Sequence, residues 1–150
     1  MRALLAAMTA LALAGAVTSA AGAAEHEIRM LGEGPDDPMV FEPDFIHAAA
    51  GDTIRFVAVD GYHNAESIRA MFPDGAEAFK GEIGKDVIMT LSEPGVYLVK
   101  CKSHYGVGMV ALVVAGDMPD SETLARAVAG PHPLRARATF AAILDAIAEK

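Results

Sequence analysis

The sequence predicts a mainly β protein, a β-sandwich followed by two C-terminal α-helices. Three observations support this fold class. Short apolar runs, several of them rich in β-branched residues, recur between positions 27 and 115. Turn formers such as Pro94 and Gly95 separate these runs. Further along the chain the pattern changes to the spacing of an amphipathic helix.

The predicted strands follow from side-chain alternation and from the breakers that flank each run. Within TIRFVAV (53–59), Ile54 and Phe56 fall on one face, which indicates a strand with one buried side. The segment 39–52 is expected to be an irregular edge strand, because Pro43 cannot donate to a central ladder. The remaining predicted strands are 27–31, 87–91, 96–100 and 109–115, whereas 32–38 is a predicted loop and 66–86 a long excursion with at most one helical turn.

Two helices are predicted at the C-terminal end. Ser121 is expected to cap the first, which ends at Gly130, and Pro131 and Pro133 precede the second. We expect the second helix to pack on a sheet, without a membrane or partner role. Its apolar residues follow the i, i+3, i+4, i+7 spacing of a packed face: Phe140, Ile143, Leu144 and Ile147.

The N-terminus has the layout of a secretory signal. Arg2 precedes an uncharged apolar run that ends in small residues. We expect residues 1–24 to be removed near Ala23 or Ala24, leaving one domain over 25–150 in the periplasm, without membrane attachment. The run is also long enough for a retained membrane anchor, but its alanine-rich composition and the lack of a positive flank after it favour the signal.

The charge balance narrows the classes of partner. The chain has 12 basic and 20 acidic residues and a net charge of −8 at pH 7. Nucleic acid is therefore not an expected partner. Lysines nevertheless gather around the motif described next: Lys80, Lys85, Lys100 and Lys102.

Cys101 is the only cysteine in the chain, so it cannot form an intramolecular disulfide in an oxidising compartment. His104 follows three residues later and Met109 eight residues later, on either side of the loop YGVG. Because Cys101 ends one predicted strand and Met109 opens the next, a tight loop between them can aim all three side chains at one point. This spacing predicts a metal site.

His63 supplies a fourth candidate ligand. It follows the predicted strand 53–59, whose end can lie beside the end of strand 96–100 in a sandwich. Two imidazoles, a thiolate and a weak axial thioether form the blue copper ligand set, which suits one-electron exchange between Cu(II) and Cu(I). The predicted ligands of a single copper ion are His63, Cys101, His104 and Met109.

Other chemistries stay open on the residues alone. Zinc also binds Cys and His, although it has little use for the Met109 thioether. A Cys–His nucleophile would need an oxyanion donor, which nothing in the sequence marks. A copper enzyme would need further ligands, but His26, His47 and His132 are scattered without ligand spacing. A copper-storage or delivery protein would use Met-rich or Cys-rich ligation.

The motifs HN (63–64) and CKSHYGVGM (101–109) resemble those of the pseudoazurins, periplasmic blue copper proteins of the cupredoxin fold. The likeness extends over PDGAEAFKGEI, PGVYLVKC and MVALVVAGD to the two helices. It implies a cupredoxin-type Greek-key β-sandwich or barrel and a monomeric type 1 copper electron-transfer protein that is not an enzyme. The short spacing from Cys to His separates the chain from azurins, and the helical tail separates it from plastocyanins and amicyanins.

The resemblance also implies partners and residue roles. Such a carrier takes electrons from a c-type cytochrome and passes them to a copper nitrite reductase or nitrous oxide reductase in denitrification; a different periplasmic dehydrogenase or oxidase is the alternative. Asn64 would hold the two ligand loops together and donate its backbone N–H to the thiolate. Met39 would lie near the exposed ring edge of His104, an electron port rimmed by lysines. Ser103 departs from the family, which commonly has proline there, so the reduction potential does not follow from the resemblance.

Overall fold

Two four-stranded sheets pack face to face, and two helices follow them, in the described part of the chain. The structure is a computed structural model that describes residues 22–68 and 71–149; positions 1–21 of the predicted signal lie outside the described residues. The strands are β1 (Glu25–Glu33), β2 (Pro38–Glu42), β3 (Phe45–Ala48), β4 (Thr53–Ala58), β5 (Glu66–Ser67), β6 (Val87–Thr90), β7 (Gly95–Lys100) and β8 (Val110–Ala115), and the helices are α1 (Ser121–Ala127) and α2 (Leu134–Ala148).

The strand order shows that the chain passes repeatedly from one sheet to the other. The first sheet has the order β2-β1-β4-β6 and the second β3-β8-β7-β5. The pairs β1–β4 and β3–β8 are parallel, and the other strand pairs are antiparallel. The predicted turn at Pro94 and Gly95 joins β6 of the first sheet to β7 of the second. These crossings confirm the predicted Greek-key sandwich.

The segment predicted as one irregular edge strand is two short strands. β2 lies at an edge of the first sheet and β3 at an edge of the second. Pro43 lies between them, where the chain crosses and no ladder hydrogen bond is required of it. The predicted loop before β2 is shorter than expected, because β1 extends to Glu33 and β2 begins at Pro38.

The short strand β5 was not predicted. Its residues Glu66 and Ser67 pair with Lys100 and Val99 of β7. The Ser67 hydroxyl donates to the Phe79 carbonyl at 3.0 Å and accepts from the Phe79 N–H at 3.1 Å. Two polar residues give no alternation signal, so this strand depends on its neighbours.

Two apolar cores explain the hydrophobic pattern of the strands. Between the sheets, Ile54 and Phe56 are fully buried as predicted, together with Tyr97 and Val113 from the second sheet. On the outer face of the second sheet, alternate residues of β7 and β8 pack against Phe140 and Ile143 of α2. Every residue of β8 is buried, because this strand has a core on both faces.

The helices form where they were expected, with small shifts at the ends. The N-cap of α1 is Asp120 rather than Ser121, since its carboxylate accepts from the Thr123 N–H at 2.7 Å. Helix α1 ends at Ala127, three residues before Gly130. Neither α1 nor α2, the helices of the described chain, is long and apolar enough to cross a membrane.

Candidate metal centre

Three predicted ligand side chains converge at one end of the sandwich. The two imidazole Nδ1 atoms, of His63 and His104, lie 3.1 Å apart. The Cys101 Sγ lies 4.0 Å from the Nδ1 of His63 and 3.6 Å from the Nδ1 of His104. Met109 is fully buried in the same apolar cluster as Cys101. Met109 also lies beside Cys101 along the backbone, since the Cys101 N–H donates to its carbonyl at 3.0 Å.

The spacing of these donor atoms fits one transition-metal ion. For bonds of about 2.0 Å to nitrogen and about 2.3 Å to sulfur, a trigonal arrangement separates the donors by about 3.5 to 3.7 Å. The three observed distances bracket this range. Among the His, Cys, Asp and Glu side chains of the described residues, one group lies closely enough together to hold a metal: His63, Cys101 and His104.

His63 reaches the centre because the chain changes sheets around it. β4 ends at Ala58 in the first sheet, and β5 begins at Glu66 beside Lys100, the last residue of β7. The intervening loop therefore passes over the end of β7, where Cys101 follows. The loop is fixed by the Gly84 N–H, which donates to the His63 carbonyl at 2.8 Å.

The protonation of His63 favours metal binding. Its side chain is fully buried, and burial lowers its pKa; nearby Asp60 opposes this effect and His104 adds to it. A lowered pKa means a neutral imidazole at neutral pH, with one ring nitrogen free to bind a metal.

The other three ligand candidates lie on one tight loop. The Cys101 N–H donates to the Met109 carbonyl at 3.0 Å, and the Met109 N–H donates to the His104 carbonyl at 3.1 Å. A short 3-10 helix, Tyr105–Val107, occupies the loop between them. These backbone hydrogen bonds fix the positions of the Cα atoms from which the Cys101, His104 and Met109 side chains extend.

Helix α2 packs directly behind this loop. Gly108 has a φ of 101°, and a Cβ on it would lie 2.7 Å from the Thr139 Oγ1 and 3.2 Å from the Arg135 carbonyl oxygen. Only glycine combines this backbone conformation with so close an approach. The helical tail therefore braces the ligand loop as well as the sheet.

Asn64 joins the two ligand loops. Its buried side chain accepts from the Lys102 N–H at 2.8 Å and donates to the Gly81 carbonyl at 3.0 Å. Lys102 directly follows Cys101, and Asn64 directly follows His63. The predicted role of Asn64 in holding the loops together agrees with these bonds, while its backbone donation to the thiolate stays a prediction.

Asp60 is a site residue that sequence reasoning missed. One carboxylate oxygen accepts from the Gly32 N–H at 2.7 Å, and the other lies 3.0 Å from the His63 Nε2. The His63 Nε2 makes no hydrogen bond within the described residues, so its contact with Asp60 is electrostatic. A Cβ on Gly32 would lie 3.0 Å from the carboxylate, so glycine leaves room for it. An acidic residue three positions before a candidate ligand was the available signal.

His104 is the ligand candidate with access to solvent. It is half-buried, whereas the other three candidates are fully buried. Ser103 and Gly106 beside it are exposed, and so is Val107, at 56%. Met39 is partly buried against the core cluster that contains Cys101 and Met109.

The four lysines differ in their surroundings. Lys85 pairs with Glu82 at 2.7 Å, and Lys100 lies 3.4 Å from Glu66 and over the Tyr105 ring. Lys80 and Lys102 are exposed.

The three remaining histidines have other partners. His26 Nε2 lies 2.8 Å from the carboxylate of Asp52. His47 contacts the Gly116 carbonyl, and His132 contacts the Tyr105 hydroxyl. They lie in three separate places, as the scattered spacing predicted.

Comparison with known proteins agrees with the predicted centre. The family model for copper binding proteins of the plastocyanin/azurin family matches residues 28–116. A pseudoazurin of Paracoccus pantotrophus is 45% identical over 115 residues, which are 77% of this chain and 79% of the relative. The chain belongs to the pseudoazurin family of copper proteins. This membership confirms the resemblance and the predicted function class, blue copper electron transfer.

Solved pseudoazurin structures share the fold. That of Methylobacterium extorquens AM1 aligns with a TM-score of 0.75 at 37% identity, covering 82% of this chain and 98% of that one. That of Hyphomicrobium denitrificans aligns with a TM-score of 0.73 at 33% identity, covering 81% and 97%. The copper-binding family and the cluster of His63, Cys101, His104 and Met109 together support the predicted cofactor, one copper ion.

The role of Asn64 can be measured in the metal-free protein. We expect Asn64→Ala to lower the free energy of unfolding by about 1 to 3 kcal/mol, because it leaves the Lys102 N–H and the Gly81 carbonyl without their buried partner. Urea unfolding would measure the loss, and amide exchange would show faster opening at Lys102. Thr90→Ala, an exposed change on β6, is the control. Unchanged exchange at Lys102 would contradict the joining role.

Proposed function

We propose that this protein is a periplasmic electron carrier, not an enzyme, whose copper is held by His63, Cys101, His104 and Met109. The observation that carries the proposal is the convergence of two Nδ1 atoms and one Sγ within bonding range of a single ion. Burial of the thiol supports it, because a solvent-shielded cysteine in an oxidising compartment is protected from other reactions. Copper bound there supplies a one-electron couple between Cu(II) and Cu(I).

The protein's own residues make this couple usable. Backbone hydrogen bonds within 101–109 and the Asn64 bridge hold the donors in fixed positions, so electron gain or loss requires little rearrangement. Fully buried His63 keeps water from one side, while half-buried His104 offers a ring edge at the surface. We propose this edge as the electron port.

The proposed partners are redox proteins of denitrification. Electrons would come from a c-type cytochrome and pass to a copper nitrite reductase or a nitrous oxide reductase. Exposed Lys80 and Lys102 support docking to acidic surfaces, because local positive charge accelerates encounter even on a chain of net charge −8. A periplasmic dehydrogenase or oxidase is the second candidate partner, and copper delivery is the second candidate function.

Copper loading tests the proposed function. Cu(II) added to the chain without its leader should give an intense blue colour that ascorbate bleaches and an oxidant restores. Cys101→Ser should abolish the colour, because the thiolate is lost, whereas the neighbouring change Ser103→Ala should keep it. Visible absorption spectra measure both. A colourless wild type, or a Cys101→Ser variant of equal colour, would refute the ligand assignment.

Asp60 should tune the reduction potential of this centre. Its negative charge beside the outer nitrogen of His63 favours the more positive copper state. We expect Asp60→Asn to raise the midpoint potential by tens of mV, where about 1.4 kcal/mol corresponds to roughly 59 mV. Asp86→Asn is the matched control, because Asp86 bonds Arg55 and the Ala58 N–H instead. Equal shifts in both variants, measured by redox titration of the blue band, would exclude this role.

Charge reversal tests the docking surface. Lys102→Glu should slow electron transfer to a copper nitrite reductase several-fold at low ionic strength, with the difference shrinking as salt is added. Arg126→Glu is the control, because Arg126 lies beside Pro94 and Gly95 at the opposite end of β7. Stopped-flow rates would measure the effect. Equal rates for both variants would place docking elsewhere.

A further inference from the structure

A carboxylate with little exposure anchors the start of the fold. The Asp52 side chain is 10% exposed. It accepts from the Ala24 N–H at 2.8 Å and the Ala49 N–H at 3.1 Å, and it contacts the His26 Nε2 at 2.8 Å. Three donors thus meet at one carboxylate. Two of them, the Ala24 N–H and the His26 ring, lie at the predicted end of the leader.

Ala24 is where the chain joins the folded body. Its N–H binds Asp52, and its carbonyl accepts from the Thr53 N–H at 2.9 Å. Gly22 and Ala23, directly before it, are exposed and lie outside any helix or strand. A Cβ on Gly22 would meet open space. Within the described residues, the first hydrogen bonds to the folded body therefore come directly after the Ala23–Ala24 bond.

The same bond has the residues that a leader peptidase accepts. Ala21 and Ala23 place small side chains at the third and first positions before it, in an A-x-A pattern. We propose that the leader is cut between Ala23 and Ala24, and that the new α-ammonium group of Ala24 forms an ion pair with Asp52. Hydrolysis consumes one water: the Ala23 carboxylate leaves with the leader, and the Ala24 amine takes up a proton. This inference rests on the proposed export.

The neighbouring bond is less suitable on structural grounds. A cut after Ala24 would remove both hydrogen bonds of that residue and one of the three donors of Asp52. A cut earlier would leave an uncharged amide at Ala24. Only the Ala23–Ala24 cut replaces that amide by a full positive charge in the same place, and a charge-assisted hydrogen bond is about twice as strong as a neutral one.

The carboxylate is prepared for a cationic partner. The hydrogen bond from His26 lowers the pKa of Asp52, and the Ala24 N–H lowers it further. Asp52 is therefore ionised at neutral pH. An ammonium group at Ala24 would meet a negative charge already present.

The ion pair would fasten a central strand. β1 lies between β2 and β4 in the first sheet, and its parallel pairing with β4 begins at Glu25 and Thr53. Ala24 precedes this first pair, so a fixed Ala24 prevents β1 from fraying where it enters the sheet. The fold would thus reach its full stability only after the leader is removed.

The cleavage position is tested on the exported protein. The full chain, expressed with its leader in a bacterium, should yield a periplasmic product whose intact mass and N-terminal sequence begin at Ala24. A product that begins at Glu25 or at another residue would overturn the inference. A chain that keeps its leader would refute the proposed export as well, whereas the blue copper spectrum is measured separately and would identify a failure of the electron-carrier proposal.

The ion pair is tested with proteins of defined start. Three forms begin at Ala23, Ala24 and Glu25, and a fourth is the Ala24 form with an acetylated N-terminus. The Ala24 form should have the highest Tm. The Ala23 and acetylated forms should melt about 2 to 5 °C lower, because they keep the hydrogen bond but lose the adjacent charge, and the Glu25 form should melt lowest. Equal Tm values for the Ala24 and acetylated forms would overturn the ion pair.

Removing the negative charge of Asp52 completes the test of the ion pair. In Asp52→Asn the Tm difference between the Ala24 and Ala23 forms should disappear, whereas Asp120→Asn, which alters the α1 cap, should preserve it. A difference that persists in Asp52→Asn would contradict the pairing. If Asp52→Asn does not fold, the acetylated form still decides, because it carries no substitution.

Discussion

The crossing of the chain from the first sheet to the second, between Ala58 and Glu66, is the constraint on which the metal centre depends. His63 lies in this crossing, and β5 ends it by pairing with the last residues of β7. Because Cys101 follows β7 directly, the two loops meet at the same end of the sandwich. At this junction the buried Asn64 side chain accepts from the Lys102 N–H and donates to the Gly81 carbonyl. Without Asn64, the Lys102 N–H and the Gly81 carbonyl would lack these partners, which would destabilise the junction.

The C-terminal helices serve the centre through packing. Helix α2 covers the outer face of the second sheet, where Phe140 and Ile143 complete a second apolar core. The same helix touches the ligand loop at Gly108, where a side chain would not fit. Stability of the sheet and position of the ligand loop are thus coupled, because one rigid element contacts both.

Electrostatic asymmetry distinguishes the two imidazoles. His63 is fully buried and has a carboxylate 3.0 Å from its outer nitrogen, whereas His104 is half-buried beside exposed loop residues. The first arrangement places a negative charge beside a shielded ring, and the second brings a ring edge to the surface. A centre that must exchange electrons without exchanging ligands benefits from both properties.

The sequence by itself determined most of the fold and pointed to the candidate donors. The alternation in 53–59 predicted a strand with the correct buried face, and the apolar run 109–115 predicted a core strand. The single cysteine with its spaced His and Met predicted the candidate site. These features are local, because alternation and short spacing are written in neighbouring residues.

Only the tertiary structure decided which distant groups meet. The strand β5, the contact of Asp60 with His63 and the contact of Gly108 with α2 join segments that lie far apart along the chain or carry no pattern of their own. The N-cap of α1 is Asp120, one residue before the predicted Ser121, for a related reason. Asp and Ser are both good N-cap residues, and the backbone conformation selects between them. Composition cannot reveal such choices, because they depend on the distance between atoms after the sheets have packed.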